Sequence, residues 1–181
     1  VDGAGGYRFR VAPRGAGAHR YRVIRLPWHG SGTVSSRTAT ITTYRWLDVT
    51  AHASSWATWG SATTYNEPVA IAGVSHPQSV AIDTTLEPQG GFLEIDLSGR
   101  RCAAFDATLG AVDGNDPGAV AHGRVRADGK IVHDEDYAVG KSDRVTLDVI
   151  GVDRLRIAAT TADPVPVTYF GIGTPRLLCA T

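Results

Sequence analysis

What most limits the fold of this chain is a hydrophobic period of two, repeated in short runs and broken by turn residues. "GGFLEIDLSG" (90–99) alternates Leu93, Ile95 and Leu97 with Phe92, Glu94 and Asp96. Such alternation sends one set of side chains to a core and the other to solvent. "RVTLDVIG" (144–151), "RLRIAATT" (154–161) and "VPVTYFGI" (165–172) are further β-branched or alternating runs. "AVAHGRVRADGKIVHDED" (119–136) is a hairpin centred on Asp128-Gly129, a pair suited to the positive φ of a tight turn. No window of eleven or more residues carries apolar residues at i, i+3, i+4 and i+7. About ten short strands with regularly spaced turns predict an all-β chain folded as a jelly-roll β-sandwich.

The first forty residues stand apart in charge. Seven of the eighteen basic residues lie there, opposed by Asp2 alone. "YRFRV" (7–11) and "HRYRVI" (19–24) flank "APRGAGA" and read as a β-hairpin. Tyr7, Phe9, Val11, Tyr21 and Val23 share one face, and Arg8, Arg10, Arg20 and Arg22 the other. The expected division is an N-terminal β extension, or the end of a preceding domain, over 1–40, and a sandwich over 41–181.

The 181 residues carry 18 basic and 18 acidic side chains, so bulk attraction to nucleic acid or to an anionic membrane is not expected. No apolar run approaches the roughly 18 residues of a membrane span. Sixteen arginines stand against two lysines, a bias that points to a GC-rich bacterial genome. Methionine is absent, so a processed or excised fragment is expected, with any signal peptide out of view. Cys102 and Cys179 match no zinc pattern, leaving two buried thiols or one disulfide.

Catalytic motifs are missing. There is no G-x-S-x-G, no H-E-x-x-H and no phosphate-binding G-x-x-x-x-G-K-[ST], and the six histidines are scattered singly. A binding module is expected rather than an enzyme. "HDEDY" (133–137) reads as a solvated hairpin end before a calcium site. "DGND" (113–116) reads as a turn first. Second, Asp113, Asn115 and Asp116 are candidate ligands for a structural calcium, although no glutamate stands at the twelfth loop position.

From residue 44 to about 178 the chain resembles the NPCBM family, also counted as family 51 of the carbohydrate-binding modules. The resemblance rests on "YRWLD", "WATWG" and "GVSHPQSVAI". It continues through "FLEIDLSGRRCAAFDATLGAVDGND", "GRVRADGKIV" and "VTLDVIGVDRLRIAAT", in that order. It implies a galactose-binding-domain-like jelly roll, secreted and non-catalytic, attached to or acting with a glycoside hydrolase. It also implies galactose-containing glycans as partners. Members often carry an accessory β-domain before this one, and a segment rich in His, Asp and Trp before the last strand. Here that segment reads "TYFGIGTPRLL" (168–178), with none of the three. An extracellular setting favours the disulfide between Cys102 and Cys179.

Three of the four tryptophans fall within residues 44–60. Trp46, beside Leu47 and Val49, is expected in the core. Trp59, before Gly60, suits a packing role at a turn as well as a ligand role. Trp56 lies in "HASSWAT", read as a loop, and is the first candidate for a platform on which a sugar ring stacks. His52, Asn66, Glu67, His76, Asp113 and Asn115 are the candidate polar partners, with a turn-capping role as the alternative for His76. Other domains of a parent protein are further expected partners. The alternative function is a structural, protein-interaction or sensor sandwich that has lost the sugar site.

Overall fold

The computed structural model describes residues 10–26, 29–30, 32–60, 62–84, 90–161 and 168–180, without the side chains at 25, 53–56, 58–60 and 62–65. The chain divides into two compact units, residues 1–45 with 180–181, and residues 46–179. In the first unit, β1 (Gly17–Tyr21) pairs antiparallel with β4 (Ala39–Thr43), and β2 (Ile24–Arg25) with β3 (Val34–Ser35). The strand around Tyr21 therefore pairs forward along the chain, Tyr21 opposite Ala39, and Arg10 and Val11 of the expected hairpin are in no strand. Residues 7–9 of that hairpin lie outside the described residues.

The second unit is a sandwich of two sheets. Its elements are β5 (Arg45–Asp48), α1 (Val49–Trp56), β6 (Ala57–Gly60), β7 (Ala62–Ile71), β8 (Val74–Asp83) and β9 (Gly91–Asp96). They continue with β10 (Arg101–Ala111), β11 (Val120–Ala127), β12 (Lys130–Ala138), β13 (Ser142–Asp148), β14 (Arg154–Thr161) and β15 (Tyr169–Ala180). One sheet runs β13-β10-β15-β8-β7, with β5 added on β15; the other runs β12-β11-β14-β9-β6. The inner faces meet in one apolar cluster. Val80, Ile82, Phe105, Leu109, Phe170 and Ile172 come from the first sheet, and Leu93, Ile95, Val125, Tyr137, Leu155 and Ile157 from the second. Alternation places them there: Leu93 and Ile95 are buried between outward-facing Phe92, Glu94 and Asp96. Gly123 leaves room for Phe170, whose ring would lie 2.5 Å from a Cβ at that position.

Two tight turns set the hairpin registers. Asp128 and Gly129 have φ of 47° and 82° between the partners Ala127 and Lys130, as their sequence predicts. Ala72 and Gly73 repeat this with 49° and 77° between Ile71 and Val74, and join β7 and β8 into one long hairpin. The tip of that hairpin folds over the outer face of the six-stranded sheet. There Val69 and Ile71 form a second small core with Ala81. A Cβ on Gly171 would stand 2.8 Å from the Ile71 side chain, so the close approach depends on glycine.

The rest of that outer face is held by a ladder of side chains across three strands. The Asp106 carboxylate on β10 accepts from Arg144 Nε at 3.0 Å and Thr146 Oγ1 at 2.9 Å on β13, and from Arg176 Nε at 2.8 Å on β15. The Arg176 guanidinium then lies 4.5 Å from the centroid of the Trp46 ring. Burial pushes the Asp106 carboxyl up, but the hydrogen bonds from Arg144, Arg176 and Thr146 outweigh it and hold the group below its ordinary value.

Strands β10 and β15 are also joined by the Cys102–Cys179 disulfide, so the expected bridge is present. At the other end, Val112 N donates to Tyr169 O at 3.0 Å. Partners rise along one strand as they fall along the other, so the pair is antiparallel.

Thiol titration of unreduced, denatured protein finds no free cysteine, and reduction lowers unfolding stability by about 4 kcal/mol in the chain-entropy picture of a long closed loop. The depressed Asp106 group stabilises the fold above its ordinary value and loses that contribution as pH falls through the lower, folded value. Asp106→Asn therefore costs about 1–3 kcal/mol in urea unfolding at neutral pH, and the difference from wild type closes in acid, below about pH 4.

Candidate functional site

The residues expected to hold a sugar separate into two groups. The first lies where α1 meets β7. Asp48 caps the helix: its Oδ1 accepts from Thr50 N at 2.8 Å, satisfying a backbone donor of the first turn. The Thr50 hydroxyl stands 2.6 Å from the same Asp48 oxygen and 3.0 Å from Asn66 Oδ1, which ties helix to strand. "HASSWAT" is therefore mostly helix rather than loop; the Asp48 cap was the signal for it, and the helix is too short to show a period. His52 sits half-buried on α1. Asn66 has a φ of 57°, and register shifts on both sides of Glu67 mark bulges in β7. Bulges redirect side chains, and both Asn66 and Glu67 are exposed. Trp56 ends the helix, and Trp59 in β6 pairs with Leu93. Their side chains lie outside the described residues.

The second group fastens the fold. Asp113 Oδ2 accepts from Gly73 N at 2.8 Å, and Asp113 N donates to Ala70 O, so this residue pins the β7–β8 turn. Asn115 is buried and latches Tyr169 twice: its Nδ2 donates to Tyr169 O, and its Oδ1 accepts from Tyr169 N. His76 Nδ1 stands 3.3 Å from Thr174 Oγ1, while its ring covers Gly173. Burial lowers the His76 pKa, and its Nε2 is enclosed without a hydrogen-bond partner among the described residues. Asp116 is exposed, and its backbone oxygen accepts from Ala119 N. Among the described residues no group of three His, Cys, Asp or Glu side chains stands together as a metal site. In "HDEDY", Asp134 and Asp136 face His122 at 2.8 and 2.7 Å, and Asp134 also pairs with Arg124.

A third arrangement was not singled out from the sequence. The outer face of the five-stranded sheet presents His122, Arg124 and Arg126 from β11, and Arg154 and Arg156 from β14. The alternation in "HGRVRA" and "RLRI" was the available signal, since inward Val125, Leu155 and Ile157 require outward arginines.

These two stacked, antiparallel sheets define a jelly-roll β-sandwich of the kind found in carbohydrate-binding modules. No family model matches the sequence, and no curated protein matches it. Solved structures do share the fold. The chain is similar to the CBM51 domain of Clostridium perfringens GH95, solved in complex with methyl-galactose. The TM-score is 0.60 at 12% identity, over 74% of this chain and 99% of that one. It is also similar to the M60 catalytic domain with CBM51-1 and CBM51-2 of Clostridium perfringens ZmpB. There the TM-score is 0.58 at 13% identity, over 92% of this chain and 18% of that longer chain. For the tandem CBM51 modules of Sp3GH98, the family 98 glycoside hydrolase from Streptococcus pneumoniae, the TM-score is 0.51 at 13% identity. That match covers 64% of this chain and 36% of that chain. The structural neighbours thus carry the same module type that the sequence resembles. Among the described residues no helix is long and apolar enough to cross a membrane.

Trp46 corrects the expectation of a core tryptophan. It is 41% exposed, while Leu47 and Val49 are buried, because alternation along "RWLDV" turns Trp46 and Asp48 outward. Its contact is the Arg176 guanidinium rather than the inter-sheet core. Trp46→Ala therefore lowers stability by about 0.5–1 kcal/mol, the scale of an exposed cation–π pair, instead of the roughly 3–5 kcal/mol of a core truncation. Thermal and urea unfolding of the variant distinguish the two.

Proposed function

We propose that this chain is a non-catalytic carbohydrate-binding module that works outside the cell, attached to or acting with a glycoside hydrolase. The observation that carries the reading is the shared sandwich, which spans nearly the whole of a CBM51 domain solved with methyl-galactose. The absence of catalytic motifs from the sequence supports a binding role. The disulfide supports an oxidising setting. Galactose-type glycans are the proposed ligands. The proposed site is the junction of α1 and β7, where Asn66 and Glu67 are exposed on β7, His52 is half-buried on α1, and Trp56 is nominated by residue type. Amide and carboxylate groups suit sugar hydroxyls, and an indole face suits the C–H face of the ring.

A second reading has its own observation. Asp113, Asn115 and His76, chosen as sugar partners, are engaged with the backbone and with Thr174. That favours a structural or interaction sandwich that has lost the sugar site.

Titration calorimetry with galactose and lactose separates the two readings. Under the first, wild type binds weakly, on the order of 1 mM, as expected for a small ligand in one shallow site. Trp56→Ala then abolishes the heat without changing the unfolding midpoint. No heat with any sugar of a neutral glycan panel leaves the interaction reading.

A further inference from the structure

On the outer face of the five-stranded sheet, one pairing runs against ordinary sheet energetics. Arg126 on β11 and Arg156 on β14 are directly opposite one another. Like charges so placed repel, because neighbouring strands are only about 5 Å apart. Arg156 is restrained on the other side: its guanidinium lies 3.7 Å from the centroid of the Phe92 ring and 3.6 Å from Glu94 Oε2. Arg126 is exposed and has no ion-pair or hydrogen-bond partner among the described residues. Three of the nearby carboxylates are already engaged; Asp153, which lines the larger cleft, has no such side-chain partner among the described residues. Glu94 faces Arg154 and Arg156, Asp134 faces His122 and Arg124, and Asp128 accepts from Asp153 N and Arg154 N.

Two clefts, of about 360 and 520 Å³, flank this pair and share Arg126 and Arg156 as a common wall. The smaller is lined by His122, Arg124 and the two arginines, with Ala158 and Thr160, and includes no carboxylate. We propose that this face binds the carboxylate or sulfate groups of an anionic polysaccharide. A guanidinium offers two parallel donors to either group, and an anion between Arg126 and Arg156 relieves their repulsion. Ala158 is too small to project far from the sheet, so a sugar ring has access to it, and the Thr160 hydroxyl is a partner for ring hydroxyls.

A nucleic acid fits less well. It requires an extended run of cations matched to regularly spaced phosphates, whereas here Asp134, Asp136 and Glu94 interrupt the face and the chain carries no net charge. The choice of a polysaccharide rests on the carbohydrate-binding reading; the anion site itself involves different residues from the galactose site.

The test is affinity electrophoresis and calorimetry of wild type and Arg126→Gln against polygalacturonate, dextran sulfate, a neutral galactan and duplex DNA. Wild type is expected to bind one of the two anionic glycans, with an affinity that falls as salt rises. Whichever of the two binds identifies the group as carboxylate or sulfate. Arg126→Gln is expected to weaken that binding at least about tenfold, as loss of a charge-assisted contact requires. Its unfolding midpoint should be unchanged or higher, since a repulsive pair has been removed. No binding to either anionic polymer, binding unaffected by Arg126→Gln, or tighter binding to DNA each overturns the proposal. Anionic binding with no response to the neutral galactan upholds this site and counts against the galactose reading alone.

Discussion

The sandwich hangs on the pairing of β10 with β15. These strands are central in the six-stranded sheet, and three kinds of bond hold them along their length. A disulfide joins Cys102 to Cys179, an ion pair joins Asp106 to Arg176, and the backbone of Val112 meets that of Tyr169. Each acts in a different environment: the disulfide within the apolar core, the ion pair on the outer face, and the amide bond at the strand end. The inner side chains of the same strands, Phe105, Leu109, Phe170 and Ile172, supply much of the apolar surface that meets the second sheet. Displacing either strand would disturb all three links and the core together.

The two outer faces then differ in what remains available. On the six-stranded sheet, the folded-over tip of the β7–β8 hairpin and the ladder from Arg144 through Asp106 to Arg176 and Trp46 occupy much of the surface. Asp113 and Asn115 belong to this fastening, which explains why residues attractive as sugar ligands are committed to backbone atoms. On the five-stranded sheet the outward face carries His122, Arg124, Arg126, Arg154 and Arg156 beside Phe92, Ala158 and Thr160. Arg126 on that face is exposed, whereas Arg144 and Arg176 on the other are committed to Asp106.

The sheet content was legible because burial on one side of a strand imposes a period of two. Leu93, Ile95, Leu155 and Ile157 all lie where alternation places them, and the Asp128-Gly129 turn forms as its residue types require. Trp46 was misplaced because tryptophan's size outweighed the phase of its neighbours, although Leu47 and Val49 already required it to face outward. The Ala72-Gly73 turn has a weak sequence signal because alanine rarely takes a positive φ; tertiary contacts from Asp113 and the buried Ile71 hold it there. Pairing between β1 and β4 depends on which strands meet across the chain, and local pattern carries little of that. The candidate site was the least legible part. Whether a polar side chain is left open or committed to a neighbouring amide is decided by three-dimensional proximity, as Asn115, latched to the Tyr169 backbone, illustrates.

Thr174 has a φ of 48°, unusual for a β-branched residue, and the phase of β15 changes there. Before it, Phe170 and Ile172 face the core; after it, Leu177 and Cys179 do. The strand thus counts in even numbers on one side and odd numbers on the other. A strand of the same length with continuous alternation would present Leu177 and Cys179 to solvent and Arg176 to the apolar interior, whereas one a residue shorter would keep all three on their present faces. The irregular geometry at Thr174 and the extra residue therefore go together. Deleting one residue there and straightening the strand would retain the disulfide and the Asp106 pairing, whereas straightening it at full length would lose both.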